Sequence, residues 1–139
     1  MNLSYHFKRI NLSGFISQEP VIHATLIGKD NAKFNVTAIL DTGSDFVLLP
    51  LEVAQLLNLE FDAEKKEVAK AYSDEPFTTT QSNVHIKIEK DRENIAFDCK
   101  CAVSLKKEAQ HEYIIFGSSF LQNFKLLFDY PKNRFHIKH

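Results

Sequence analysis

The segment that most constrains this chain spans residues 38–50, where the acidic side chain of Asp41 lies close to large apolar residues on both sides. A carboxylate flanked in this way is expected to be partly buried, which is unfavourable unless it has a partner or a function. Gly43 lacks a Cβ, so the backbone there can approach a ligand or adopt a positive φ. The hydroxyl groups of Thr42 and Ser44 can hydrogen-bond the carboxylate or the neighbouring backbone. The sequence therefore predicts a turn that presents Asp41 in a cleft.

A second pattern supports a function for this turn. Asp-Thr-Gly alone is a frequent surface turn, but surface turns are rarely flanked by so many aliphatic residues. Downstream come an apolar pair with a glycine, a short helical segment and a last strand: Ile114, Ile115, Phe116 and Gly117, then Phe120 and Leu121, then Phe128 and Asp129. In these motifs and their order, the chain resembles aspartic proteases of the retropepsin-like (retroviral-type, single-domain) branch. The resemblance covers roughly residues 20–137.

Composition predicts one folded domain over residues 1–139. Of these residues 44% are hydrophobic and twelve are Phe, which suffices for one core but not for two. The formal net charge is −1 and no Lys/Arg block is interleaved with aromatic residues, so nucleic-acid binding is not expected. Without a membrane-length apolar run or an export signal, the expected location is the cytoplasm. Residues 1–19 are an N-terminal extension, either a strand that pairs with another chain or a loosely packed terminus.

The two cysteines are expected to be structural. Cys99 and Cys101 lie at positions i and i+2 of a predicted strand, on one face and about 6.6 Å apart, which is the limit of disulfide geometry. Two thiols are too few for a zinc site, and no His lies at a useful spacing from them. We therefore expect small buried side chains, no metal site and no cofactor.

Periodicity along the chain predicts an all-β fold. Residues 34–40 alternate between inward and outward positions and lead directly into Asp41, as a half-buried strand does. Pro50 is expected at the first position of a short helix over residues 51–59, and Ser119 with Gln122 matches a capping box that opens a second one. Other strands are expected near residues 5–10, 21–27, 46–49, 84–88, 95–103, 113–116, 125–129 and 134–137. Between them we expect a loop at 14–18, a polar connection or exposed strand at 60–70, and polar turns at 90–94 and 106–112.

Residues 68–88 predict a β-hairpin around a turn at residues 73–76. By position it corresponds to the flap that closes over substrate in the family, although family flaps are often rich in glycine and this one has none. Tyr72 and Phe77 beside the turn either contact a bound peptide or pack within the protein. With about nine short strands and one or two helices, the resemblance implies a closed or nearly closed retropepsin-like β-barrel with a flap.

The chemistry implied by the resemblance needs two carboxylates. Aspartic proteases hold them about one hydrogen bond apart, where they share a proton because both cannot be ionised together. The ionised member takes a proton from a water held between them, and the protonated member polarises the scissile carbonyl. This chain has no second Asp-Thr-Gly, and Asp45, Asp74, Asp98 and Asp129 lack the flanking pattern. The resemblance therefore implies a homodimer in which Asp41 faces its copy across a two-fold axis.

The resemblance also assigns roles within the motif. Asp41 is the catalytic carboxylate. Thr42 bonds across to the loop of the other subunit, and Gly43 lets the substrate backbone approach. The hydroxyl of Ser44 is expected to bond the outer oxygen of Asp41.

Further expectations concern the segments around the motif. Residues 115–117, which end at the family's glycine Gly117, are expected to thread through the wide loop behind the motif, and the chain termini, especially residues 134–139, to contribute interface strands. After this glycine many family members carry an arginine that pairs with the acid corresponding to Asp45, whereas this chain has serines at residues 118–119. The carboxylate of Asp45 should therefore be more exposed or paired elsewhere, for example with substrate.

Three functions are compatible with these features. The first is a homodimeric aspartic endopeptidase acting on a peptide or protein substrate. The second is a catalytically weak or inactive protease-fold module for dimerisation or peptide binding, although such a module has no use for facing carboxylates. The third is an unrelated small β-barrel binder in which Asp41 only caps a turn. The last predicts a monomer indifferent to Asp41→Asn, whereas the first predicts that this variant is a folded, inactive dimer.

Overall fold

The computed structural model describes residues 1–12, 14–62, 64–70, 76–105 and 114–139. Within these ranges the protein is mostly β-structure, with two short helices and a 3-10 turn at Lys29–Asn31. In chain order the elements are β1 (Asn2–His6), β2 (Lys8–Leu12), β3 (Phe15–Glu19), β4 (Val21–Ile27), β5 (Lys33–Leu40), β6 (Val47–Pro50), α1 (Leu51–Leu56), β7 (Glu67–Lys70), β8 (Pro76–Lys90), β9 (Glu93–Ser104), β10 (Ile114–Phe116), α2 (Ser118–Leu121), β11 (Lys125–Asp129) and β12 (Arg134–Lys138).

Six strands close into a barrel of mixed direction. The order around it is β4, β5, β10, β6, β9 and β8, and β8 pairs back onto β4. The β5–β10 and β6–β9 pairs are parallel, and the other neighbours are antiparallel. β7 adds to the barrel by pairing with β8. The expected all-β closed barrel is thus confirmed.

The hydrophobic core lies inside this barrel. The alternation along β5 directs the side chains of Ala38 and Leu40 inward. They belong to the same buried cluster as Phe116 of β10, whose ring is fully buried. Cys99 and Cys101 belong to the same core, are 2% and 0% exposed and form no disulfide. They are therefore small buried side chains, as expected. Because the core fixes the inner faces of β5 and β10, it also fixes the position at which the Asp41 turn begins.

The chain termini form a separate three-stranded sheet in the order β1, β12, β11. The rings of Tyr5 and Phe135 stack with centroids 5.1 Å apart, and those of Phe7 and Tyr130 stack at 4.8 Å. The N-terminal strand thus pairs with its own chain. That the chain termini, especially residues 134–139, contribute interface strands stays a prediction; β12 is the central strand of this sheet, and both of its edges are paired within the chain. In the described chain, β1 and β11 form the edges of this sheet.

An N-terminal hairpin, made of β2 and β3, replaces the loop expected at residues 14–18. The two strands pair from Lys8 with Glu19 to Leu12 with Phe15. Gly14 takes a φ of 83°, and its N–H donates to Oδ1 of Asn11 at 2.8 Å. The loop prediction failed because it weighed Gly14 and the polar residues above the strand propensity of the residues that follow.

The predicted flap hairpin is present as β7 and β8, with Val68 opposite Thr78. Residues 71–75, which include most of the predicted turn at residues 73–76, lie outside the described residues. β8 continues without interruption to Lys90, so the strand expected at residues 84–88 is the far half of the same strand. The polar turn expected at 106–112 lies outside the described residues. No described helix is long and apolar enough to cross a lipid bilayer.

The two helices differ from the predicted ones: α1 is shorter, and α2 has a different cap. α1 ends at Leu56 and not at residue 59, and Asn58 takes a φ of 53°, which a helix cannot continue through. The cap of α2 is Gly117, without a side-chain hydrogen bond, so the expected capping box of Ser119 and Gln122 is absent. The Ser119 hydroxyl is committed elsewhere, to backbone groups of the barrel.

Candidate active site

Asp41 is the first residue after β5 and begins a tight turn. Its N–H donates to the carbonyl of Phe116 in β10 at 3.0 Å, which continues the strand pairing by one residue. Oδ1 of its carboxylate accepts the N–H of Gly43 at 2.8 Å, and its carbonyl accepts the N–H of Ser44 at 3.2 Å. The residue is half-buried. The turn therefore holds one carboxylate oxygen by a backbone donor, and no described residue hydrogen-bonds the other oxygen.

The barrel supports this turn from behind through β10. β10 lies between β5 and β6, with Ile115 opposite both Ile39 and Leu48. The chain from residue 115 to residue 117 thus passes through the loop that connects β5 to β6, as expected. A Cβ on Gly117 would lie 2.4 Å from the carbonyl oxygen of Ser44 and 2.5 Å from that of Phe46. Only glycine fits where these two segments cross.

The start of α2 fastens the far side of the motif. The N–H groups of Ser118 and Ser119 donate to the carbonyls of Ser44 and Asp45 at 2.8 and 3.0 Å. The Ser119 hydroxyl accepts the N–H of Val47 at 3.0 Å and donates to a β9 carbonyl at 2.7 Å. Sequence reasoning missed this role of Ser119, because bonds to residues 72 and 19 positions away leave no local pattern.

The other motif residues differ from expectation in two details. The hydroxyl of Ser44 donates to the carbonyl of Phe46 at 3.0 Å and not to Asp41. Gly43 is not among the described glycines with positive φ, and a Cβ there would lie 3.2 Å from Oδ1 of Asp41, so the glycine leaves room for that carboxylate. Thr42 is exposed, with its hydroxyl directed to no partner within the described chain.

The carboxylate of Asp45 is exposed and has no ion pair with any described residue. This is the environment expected in the absence of the arginine that many family members carry after the glycine. Tyr72 lies outside the described residues. Of Phe77 the structure describes only the backbone, which pairs with Ala69 in the flap. Whether Tyr72 and Phe77 contact a peptide or pack within the protein stays open.

Within the described ranges, no three His, Cys, Asp or Glu residues group together in a way that could hold a metal ion. The thiols of Cys99 and Cys101 are poor candidates for nucleophiles, because their pKa values favour the protonated form. Burial, and secondarily the nearby Asp98, raises the pKa of Cys99 to about 11. Burial and the neighbouring Cys99 raise the pKa of Cys101 to about 12. A single carboxylate on a rigid turn is therefore the chemically useful group of this region.

Comparisons with known proteins identify a family and a similar fold. The family model described as eukaryotic aspartyl protease matches residues 19–138, which includes the whole Asp41 turn. A solved structure of a retropepsin-like aspartic protease from Rickettsia conorii is similar with a TM-score of 0.58 at 20% identity, over 99% of this chain and 91% of that one. The protease of EIAV, complexed with the inhibitor HBY-793, is similar with a TM-score of 0.44 at 19% identity, over 76% and 88% of the two chains. Comparison with curated proteins gave no match.

Proposed function

The chain belongs to the eukaryotic aspartyl protease family and has a retropepsin-like fold, and from this premise we propose that it is an aspartic endopeptidase that hydrolyses peptide bonds as a homodimer. The observation that carries the proposal is the Asp41 turn. Its backbone is tied to β10 and α2 on opposite sides, and its carboxylate is tied to the N–H of Gly43. A carboxylate held in this way is preorganised for catalysis rather than for packing.

Two copies of this turn supply the chemistry. One Asp41 carboxylate is ionised and takes a proton from a bound water, while its protonated copy donates a hydrogen bond to the carbonyl of the scissile bond. The water then attacks that carbonyl carbon, and the proton passes to the leaving amine as the tetrahedral intermediate collapses. The two carboxylates titrate as a pair, so activity has a bell-shaped pH dependence that belongs to the dyad.

The need for a second copy follows from the chain itself. Only one Asp-Thr-Gly occurs in 139 residues, and within the described part of the chain no second carboxylate bonds to Asp41. An isologous two-fold dimer brings the missing Asp41 from the other subunit. In it, the exposed Thr42 and Gly43 face the partner and the substrate, respectively. Asp45 contributes a charge at the edge of the same cleft, and Gly117 keeps the loop behind it in place.

Cleavage of a peptide library by the wild type and by Asp41→Asn tests the proposal, at pH 4 to 7 and over a series of protein concentrations. We expect specific activity to rise with protein concentration until the dimer saturates, and Asp41→Asn to lose at least about 10³-fold of it, because the variant removes both catalytic carboxylates. Asp30→Asn is the matched control, since Asp30 is exposed in a turn at φ 54°, a conformation that Asn tolerates well.

Three other outcomes would contradict the proposal. A dimer that cleaves no peptide indicates the peptide-binding or dimerisation module. Activity that survives Asp41→Asn places the chemistry elsewhere or in a contaminant. Activity per molecule that is independent of concentration, from a protein that stays monomeric, excludes a dyad shared between two copies.

A further inference from the structure

The outer face of β5, opposite the barrel core, carries Asp41. Leu40 donates its N–H to the carbonyl of Pro20 on one side, and Asp41 donates its N–H to Phe116 on the other. The backbone is therefore still extended at Asp41, and alternation continues through it. Ala38 and Leu40 point into the core, so Thr37, Ile39 and Asp41 share the opposite face.

The N-terminal hairpin crosses this same face. Nζ of Lys8 donates to Nε2 of His23 at 3.0 Å, and Nδ1 of His23 is 3.2 Å from the Thr37 hydroxyl. Two residues further along β2, Ile10 is only 4% exposed, in a cluster separate from the barrel core. Its partners are three aliphatic side chains that we call the outer apolar patch: Val21, Ile39 and Ile115.

The direction of β2 takes the hairpin toward the carboxylate. Lys8 contacts His23, which pairs with Thr37 of β5, and Ile10 packs in the cluster that contains Ile39, two residues further along β5. We infer from these two contacts that β2 and β5 run in the same direction. One more step of two residues, about 6.8 Å, brings the end of β2 level with Asp41. Phe15 pairs with this end of β2 on the face that carries Ile10, and it is 72% exposed. The hairpin therefore continues beyond the outer apolar patch in the direction of the Asp41 turn.

The attachment of this hairpin is weak compared with that of the barrel strands. β2 and β3 form a two-stranded sheet of their own, with no strand pairing to the barrel in the described structure. A two-stranded hairpin is marginally stable in water by itself. What holds it in place is Ile10 in its patch and the bond from Lys8 to His23. It can therefore leave the face without disturbing the barrel ladders.

We propose that the N-terminal hairpin is an autoinhibitory strap, which occupies the outer apolar patch beside Asp41 and competes there with an aliphatic side chain of the substrate. This inference rests on the proposed function. The strap and an extended peptide need the same apolar surface and the same approach to Asp41, so only one of them binds at a time. Loosening the strap increases peptide affinity and turnover together.

Two variants release the strap and one controls for them. Ile10→Ala removes its apolar anchor, and Lys8→Ala removes its polar one without changing any core. Ile16→Ala is the matched control, because Ile16 lies on the other face of the same hairpin and is 64% exposed. Hydrogen exchange of the β8 and β9 amides should be unchanged in all three proteins, and exchange of the β2 and β3 amides should be faster only in the two release variants.

Two readouts decide the question. The first is the Kd of a labelled peptide, measured by fluorescence anisotropy, in which a statine residue replaces the central bond between aliphatic residues. The second is kcat/KM for the parent peptide, in which that bond is intact. We expect Kd to fall and kcat/KM to rise about tenfold in Ile10→Ala, and less in Lys8→Ala, since a buried aliphatic contact contributes more than an exposed bond. Equal or weaker binding in the release variants, or no binding in any protein, overturns the strap. Tighter binding without cleavage in any protein supports the strap's competition for the patch and refutes the proposed catalysis.

Discussion

At the scale of single residues, the site depends on where backbone segments touch. Gly117 has an ordinary backbone conformation, so its role is to leave room for the carbonyls of Ser44 and Phe46. Asp41 depends on the same crossing, since its N–H bonds to Phe116, the residue before this glycine. A change of one methyl group at residue 117 is therefore transmitted directly to the catalytic turn.

Gly117→Ala is expected to destabilise the protein by at least about 1–3 kcal/mol, because the clashing atoms are backbone oxygens that cannot rotate away. Peptidase activity should fall further than the loss of folded protein explains, since the turn must shift. Urea unfolding and cleavage assays at matched folded fraction measure both effects. Ser118→Ala, an exposed side chain at the next position, is the control. A Gly117→Ala protein of normal stability would contradict the close approach.

The two core thiols predict a loss of stability in alkaline solution. The pKa values of Cys99 and Cys101 are raised by burial from 9.0 to about 11 and about 12. The unfolded chain therefore releases these protons first, and the free energy of unfolding falls as the pH rises above about 9. The contribution is complete below that pH and is lost progressively toward the folded-state pKa values.

Urea unfolding from pH 7 to 11 checks this sign. Wild-type stability should decline above about pH 9, and the decline should be shallower in a Cys99→Ala, Cys101→Ala double variant. A remaining slope is expected from Tyr5, whose pKa is raised from 10.0 to about 12 by burial and secondarily by Asp91. Identical slopes in the two proteins would show that the thiols do not titrate differently on folding.

At the scale of elements, the terminal sheet is the part of the fold that sequence reasoning placed least well. The alternation in β12 correctly predicted a strand, but not that β1 and β11 would take both of its edges. Phe135 and Ile137 are fully buried by this arrangement. Pairing between the first and last strands is a contact across the whole sequence, so no local pattern specifies it.

Phe135→Ala tests the importance of that sheet. The ring is 0% exposed and stacks on Tyr5, so its removal should cost about 3–5 kcal/mol. Leu127→Ala in the adjacent strand β11 is the control, because Leu127 is 55% exposed and its truncation should change stability by about 0.5 kcal/mol or less. Similar effects of the two substitutions on the urea midpoint would mean that the sheet adds little to the fold.

At the scale of the whole molecule, the proposed dimer gives a prediction that needs no substrate. A dimer that dissociates on unfolding becomes more stable as protein concentration rises. For two chains of this length the expected increase in Tm is about 2–3 °C for each tenfold in concentration. Calorimetry from about 1 to 100 µM, with sedimentation velocity at both ends, measures it. A concentration-independent Tm from a sedimenting monomer would contradict the dimer.

The sequence by itself determined the parts that depend on neighbouring residues. Alternation defined β5 and β9, and the apolar residues around Asp41 predicted a half-buried carboxylate on a turn after a strand. The family motif then predicted the closed barrel and the passage of residues 115–117 behind the turn. These features depend on residues that are close together in the sequence, or on family motifs that can be matched to individual residues of this chain.

Only the tertiary structure decided which distant segments meet. It placed the hydroxyl of Ser119 between β6 and β9, the β1 strand on β12, and Ile10 on the outer apolar patch beside Asp41. Each of these contacts joins segments far apart in the chain, and closing such loops costs entropy that local propensity does not reveal. The sequence predicted a helix cap at Ser119 and a loosely packed terminus or an interchain strand at residues 1–19, and long-range hydrogen bonds and strand pairing replaced those alternatives.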